Sequence, residues 1–370
     1  MMRRFAHAGL AAVWMAAACS AVSTQPASSI TPYKLGTFAQ ADRTFLGLVL
    51  NDTVVVDLAP ANAAFEKENA GAARVSIPAD MRMLLASYEQ GGVKARLAAI
   101  ASAAAARRPA YAVDLKAVRT LPPVMPLNIL NAAVNYTEHA QEMAGRGTND
   151  PAPAAAAPEE LPGIWPRKPG DTRHNPYVFV KPVGAVIGDG DSILLPPNRP
   201  QVDWECELAI VIGRTASRVP IDRAQDFIFG YTLENDVSDR NGRADRRHGS
   251  DWFVGKGHDT FAPLGPYIVP REFVPDPQKL AITFTLSGRV MQDSTTERMT
   301  HNVAEMVSFV SHILTLRPGD IISTGSPAGV GAARNVFMTA GDVAVCTIES
   351  IGTLTNPVMG MDATSPPAGR

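Results

Sequence analysis

Glu205 and Glu207 stand two residues apart in Val202-Asp203-Trp204-Glu205-Cys206-Glu207-Leu208-Ala209-Ile210-Val211-Ile212, a segment with an acidic start and an apolar end. A strand alternates its side chains, so both glutamates leave on one face while Cys206 and Leu208 leave on the other. Like charges gathered on a half-buried strand raise each other's energy, and a divalent cation removes that penalty. Asp236, in Tyr231-Thr232-Leu233-Glu234-Asn235-Asp236-Val237, is the third acid to add. Three carboxylate ligands suit magnesium, manganese or calcium rather than zinc. The plain alternative is one solvated glutamate and one paired with an arginine, and spacing alone does not choose between the two. His139 and Glu142 are three apart. On a helical turn they share a face, and a carboxylate on one imidazole nitrogen makes the other a better base. A surface His/Glu pair has the same spacing. Lys256 lies between Gly255 and Gly257, a setting equally ordinary for a loop lysine.

The elements that must position these groups are mostly strands. The runs at 44–50 and 53–58 alternate, and Asn51-Asp52 between them reads as a hairpin turn. Residues 79–107 are helical in character, with Gly91-Gly92 splitting them into two helices. Together, 31–122 predict a small N-terminal α/β domain that ends near Pro122-Pro123, with the larger domain over 123–360 and a tail over 361–370. A short strand at 128–130 leads into the His139 segment. Residues 151–170 carry six prolines within an insertion at 145–174, so they are no regular core element. They read as a lid or as an inert loop. From Tyr177 onward the texture is β-rich with Gly/Pro turns. A helix is expected at 299–315, with Thr300 as N-cap, then a turn at 316–320 and a strand at 321–325. The glycines near 188–190 open no helix and are not a dinucleotide fingerprint.

The chain has 370 residues, 46% of them hydrophobic, which is ample for a sizeable core. A net charge of −2 without a long basic run argues against nucleic-acid binding. The first residues predict export: Arg3 and Arg4, a short apolar run, then small residues. Ala16-Ala17-Ala18-Cys19 resembles a lipobox with Ala16 where a leucine is usual, so lipidation of Cys19 competes with ordinary cleavage near Ala18 or Ala21. Either way 1–19 is a signal and 20–30 a tether, and the protein is periplasmic or lipid-anchored. An uncleaved or misassigned start leaves it cytoplasmic. Cys206 and Cys346 read as buried thiols; an exported location permits a disulfide, but the sequence does not indicate one.

Six segments in order resemble the fumarylacetoacetate hydrolase family, from about Asn128 to Glu349. They are Asn135-Tyr136…His139…Glu142, Phe179-Val180-Lys181-Pro182, Glu205-Cys206-Glu207-Leu208, Tyr231 to Ser238, Lys256…Asp259-Thr260-Phe261-Ala262-Pro263-Leu264-Gly265-Pro266, and Thr324-Gly325-Ser326-Pro327-Ala328-Gly329-Val330-Gly331. The resemblance implies an α+β fold, with a mixed β-roll catalytic domain, a small N-terminal domain and usually a homodimer. It also implies Mg²⁺ or Mn²⁺ (with Ca²⁺ possible) on Glu205, Glu207 and Asp236, and a catalytic lid dyad in His139 and Glu142. Lys256 becomes a cleft residue, its ammonium stabilising charge on a substrate oxygen.

Arg240 keeps the family's arginine, although Ser238-Asp239-Arg240-Asn241 departs from the usual Thr-Ala-Arg-Asp. It clamps a substrate carboxylate or pins its loop to Asp239 or Asp245. Thr324, Gly325 and Ser326 resemble the family's Thr-Gly-Thr-Pro turn and are candidate substrate contacts, with a purely structural turn as the alternative. Tyr136 and Lys181 are weaker cleft candidates; Lys181 shapes the pocket or orients an acid. The activity expected is hydrolysis of a carbon–carbon bond in a β-diketo acid, an acylpyruvate or a relative of fumarylacetoacetate. The rivals are β-oxoacid decarboxylation, isomerisation or hydration of 2-oxo or 2-hydroxy-dienoic acids, and non-catalytic carboxylate binding.

Overall fold

The computed structural model describes residues 30–144, 165–171, 173–241 and 251–361. The expected signal with Cys19, most of the tether, residues 145–164 of the insertion, Arg243, Arg246 and Arg247, and nearly all of the tail lie outside the described residues. No helix among the described residues is long and apolar enough to cross a membrane.

A twelve-stranded sheet organises the molecule. Its main path runs Ala112–Asp114, Val54–Asp57, Arg43–Leu50, Lys34–Gln40, Ala262–Pro270, Ile228–Asn235, Cys206–Ile212, Ile321–Ser323, Ile129–Ala133, Tyr177–Lys181. The strand Cys206–Ile212 is buried over its whole length because both faces of the sheet are covered. Leu208 and Ile210 join a core containing Phe284, Met306 and Val307. Ala209 and Val211 join another, containing Leu84, Leu97 and Ile100 from the N-terminal helices. A five-stranded sheet, Arg289–Thr295, Ala281–Leu286, Val343–Ile348, Gly352–Gly360 and Ile193–Leu195, supplies further strands of the first core. The fold is α+β, as expected.

Asn51 and Asp52 both take positive φ and turn Arg43–Leu50 back into Val54–Asp57. Met81–Ser87 and Val93–Arg107 are the two helices predicted around Gly91-Gly92. A third helix, Leu58–Glu68, was not anticipated; Asp57 caps it by accepting from the Ala59 amide. The segment 31–122 is continuous with the rest, since Leu35 pairs with Ile268 across Lys34–Gln40 and Ala262–Pro270. From Thr31 onward the chain forms one compact unit.

Two expectations are corrected. The late helix is Val303–Ile313, shorter than 299–315, and its cap is Asn302 rather than Thr300. Asn302 and Glu305 form a reciprocal capping box, while the Thr300 amide donates to the Asn135 carbonyl and Met299 bridges Tyr136. Those contacts hold 299–300 out of the helix. Cys206 and Cys346 are not free thiols: they form a disulfide, with Cα atoms 5.5 Å apart. The alternation that sends Glu205 and Glu207 one way sends Cys206 the other, toward the five-stranded sheet, where Cys346 lies on Val343–Ile348.

Candidate active site

Three carboxylates converge where the strands bearing them end. Glu205 precedes Cys206–Ile212, and Asp236 follows Ile228–Asn235. The Glu205 amide donates to Asn235 Oδ1 at 2.9 Å and its carbonyl accepts from the Asp236 amide at 2.8 Å, which zips the two acid-bearing segments together. Glu205, Glu207 and Asp236 are all buried, and each offers an oxygen within 4.8 Å of the others.

Buried cations partly balance them. Lys256 Nζ donates to Glu205 Oε2 at 2.8 Å and to Asp236 Oδ2 at 2.5 Å. Lys181 Nζ donates to Asp236 Oδ1 at 2.5 Å and to the Val237 carbonyl at 2.8 Å. Arg240 donates from Nε to Asp203 at 2.8 Å and from its terminal nitrogen to Glu205 at 2.5 Å. Burial alone would raise Glu205, but Lys256 and Arg240 outweigh it and hold the carboxyl well below its usual range. Among the described residues, no cation bonds Glu207. Burial, then Asp236 and Glu205, push its carboxyl well above the usual range. Its Oε2 accepts from the Gly325 amide at 2.9 Å, while Oε1 has no hydrogen-bond partner among the described residues. Burial lowers the Lys181 pKa; for Lys256 burial also opposes the charge, but Asp236 and Glu205 win and raise it.

This arrangement fits a hard divalent cation. All three donors are carboxylates, and one buried Glu207 oxygen is an acceptor with no hydrogen-bond partner among the described residues. Asp203, the first acid of the run, is not part of the group. It accepts from the Gly331 and Ala332 amides and from Arg240, so it caps the short helix Gly331–Arg334 and locks the arginine.

His139 and Glu142 lie on the helix Thr137–Ala144, with Nδ1 3.4 Å from Glu142 Oε2. Both Glu142 oxygens accept from the Gly329 amide at 3.1 Å, which fixes the carboxylate that orients the imidazole. His139 is itself buried and close enough to Glu205 for a protonated ring to favour that carboxylate's charge. Tyr136 is fully buried; burial first, then the nearby Glu207, raise its hydroxyl pKa.

The sequence candidates therefore divide. Lys181 orients an acid, the second of its two readings. Arg240 is pinned to Asp203 and Glu205 with no bond to Asp239 among the described residues, and Asp245 lies outside them. The Thr324 hydroxyl donates to the Leu208 carbonyl at 2.8 Å, and Ser326 Oγ accepts from Gln292 Nε2 at 2.7 Å. Both hydroxyls are thus engaged within the fold. Gly325 holds φ at 89°, and a Cβ there would lie 2.9 Å from that of Asn135. Its amide, the Glu207 donor, is what the turn contributes. Sequence reasoning quoted Asn135 only as a motif residue and gave it no role, although it bonds the His301 and Thr324 carbonyls, and it missed Gln292, which ties the Cys206 amide to Ser326 and Pro327. Nothing local marks an Asn or Gln whose partners are distant in sequence.

The model of the fumarylacetoacetate (FAA) hydrolase C-terminal domain matches residues 128–359. An uncharacterized protein of Archaeoglobus fulgidus is 41% identical over 252 residues, 68% of this chain and 86% of its own length. The bovine mitochondrial oxaloacetate tautomerase FAHD2A is 37% identical over 240 residues, covering 64% and 68%. A 5-carboxymethyl-2-hydroxymuconate delta-isomerase from Mycobacterium smegmatis superposes with a TM-score of 0.61 at 31% identity, covering 89% of this chain and 99% of that one. Maleylpyruvate hydrolase from Sphingobium sp. SYK-6, in complex with manganese(II) and pyruvate, gives 0.63 at 26% identity, covering 89% and 100%.

Proposed function

The chain belongs to the fumarylacetoacetate hydrolase family, and from that premise we propose that it is a divalent-metal-dependent enzyme hydrolysing a carbon–carbon bond of a β-diketo acid, an acylpyruvate or a fumarylacetoacetate-like compound. The observation that carries the reading is the oriented His139–Glu142 pair beside the acidic group. Glu205, Glu207 and Asp236 would hold the ion, which when bound supplies Lewis-acid polarisation of the 2-oxo acid end. Magnesium and manganese both suit this donor set.

With Nδ1 directed at Glu142, His139 has Nε2 without a hydrogen-bond partner among the described residues, and that nitrogen takes a proton from water. The oxygen adds to the distal carbonyl. The carbon–carbon bond then breaks, its electron pair passes to the 2-oxo acid half, and a proton returns to that carbon. The products are a carboxylic acid and a pyruvate-type acid. The Lys256 ammonium, buried beside Glu205 and Asp236, offsets negative charge on the substrate oxygen.

A second reading is tautomerisation or isomerisation: the same base moves a proton on the substrate carbon and no bond between carbons breaks. The names of the bovine relative and the mycobacterial structure favour it. The test is an assay of the protein with Mg²⁺ or Mn²⁺ against acylpyruvates, oxaloacetate and hydroxymuconate-type acids, monitoring acid release and enol–keto exchange separately. Stoichiometric acid release from an acylpyruvate supports hydrolysis. Exchange without release on every substrate replaces it with the second reading.

A further inference from the structure

Glu234 is a buried carboxylate that the proposed reaction does not use. It stands directly across from Glu207 in the paired strands Cys206–Ile212 and Ile228–Asn235, so the two side chains leave on one face. Ser323 faces Ala209, and Asn131 faces Ser323, which brings both to that same face. One Glu234 oxygen accepts from Asn131 Nδ2 at 3.0 Å; the other has no hydrogen-bond partner among the described residues. Glu234 is fully shielded from solvent. The neighbouring cations hydrogen-bond other acids, Lys181 with Asp236, Lys256 with Glu205 and Asp236, Arg240 with Asp203 and Glu205, and Lys181 favours the Glu234 charge only from a distance. Two carboxylates facing each other in a buried sheet destabilise the fold or take up a proton unless positive charge lies between or beside them. Glu234 is not one of the three acids whose oxygens converge.

We propose that Glu234 is a positioning residue for the cation, a fourth carboxylate behind Glu207 whose charge raises the site's affinity for hard dications. The proposal rests on the reading that Glu205, Glu207 and Asp236 hold such an ion. Residues just outside a metal's ligand set commonly change affinity by about 10- to 100-fold when removed.

The test is a Mn²⁺ titration of metal-free wild type and Glu234→Gln, with free ion read by electron paramagnetic resonance, and thermal melts of each with and without Mn²⁺. The variant is expected to bind Mn²⁺ about tenfold or more weakly. Without metal it melts at or above the wild-type temperature, because a buried repulsion is gone, and it gains less on adding Mn²⁺. Equal affinities overturn the proposal. So does an equal fall in melting temperature with and without Mn²⁺, which marks a purely structural residue. Wild type that takes up no Mn²⁺ removes the metal reading as well, whereas a binding wild type with an unchanged variant removes only the role of Glu234. Glu234→Met, of similar shape, carries the same titration if the glutamine variant does not fold.

Discussion

At the scale of single residues, the site separates charge balance from chemistry. Lys256 shares its ammonium between Glu205 and Asp236, whereas His139 makes no hydrogen bond to either and, among the described residues, is oriented through Glu142. Their variants should therefore fail differently. His139→Ala should lower kcat by about 10²- to 10⁴-fold, the range of a lost general base, and leave Mn²⁺ affinity near wild type. Lys256→Met leaves a buried acidic cluster short of one cation, so Mn²⁺ should bind more tightly in the variant while turnover falls. Steady-state kinetics combined with Mn²⁺ titration separate the two. A His139→Ala enzyme of undiminished kcat would remove the base from the mechanism.

The helix that follows the segment bonded to Asn135 and Tyr136 has its own pH dependence. Glu305 caps Val303–Ile313, pairs with Arg173 at 2.6 Å and lies 3.7 Å from His301. Burial would raise its pKa, but His301, Arg173 and the Asn302 amide outweigh that and lower it to about 2. A carboxyl with a depressed folded pKa contributes stability that is complete above its ordinary value, near 4.5, and is lost as pH falls toward the folded one. Urea midpoints should therefore fall between about pH 4.5 and 2, and the slope over that window should be shallower in Glu305→Gln. Parallel slopes in the two proteins would show that the pairing does not stabilise the fold. Trp165 docks on the same helix, its Nε1 donating to Ser308, so this element also receives the described end of the insertion.

Across the whole molecule, the Cys206–Cys346 bond joins the sheet that carries the metal candidates to the five-stranded sheet, closing a loop with a sequence separation of 140. A cross-link over a loop of that length stabilises by about 5 kcal/mol on the chain-entropy argument. Equilibrium urea unfolding with and without a phosphine reductant should show a loss of that order, and coincident curves would mean the bond is not formed in solution. Such a bond persists in oxidising compartments.

The sequence alone determined those features that local period and residue type control. The shared face of Glu205 and Glu207, the opposite face for Cys206, the Asn51-Asp52 turn and the helix break at Gly91-Gly92 are all written in spacings of a few residues. Six ordered motifs were enough to indicate the family. Tertiary structure decided whatever depends on partners far along the chain. It assigned Arg240 to Asp203 and Glu205, engaged the Thr324 and Ser326 hydroxyls, moved the helix start to Asn302, and set Glu234 opposite Glu207. Strand register, not strand identity, places those groups in contact, and register is fixed only when the whole sheet assembles.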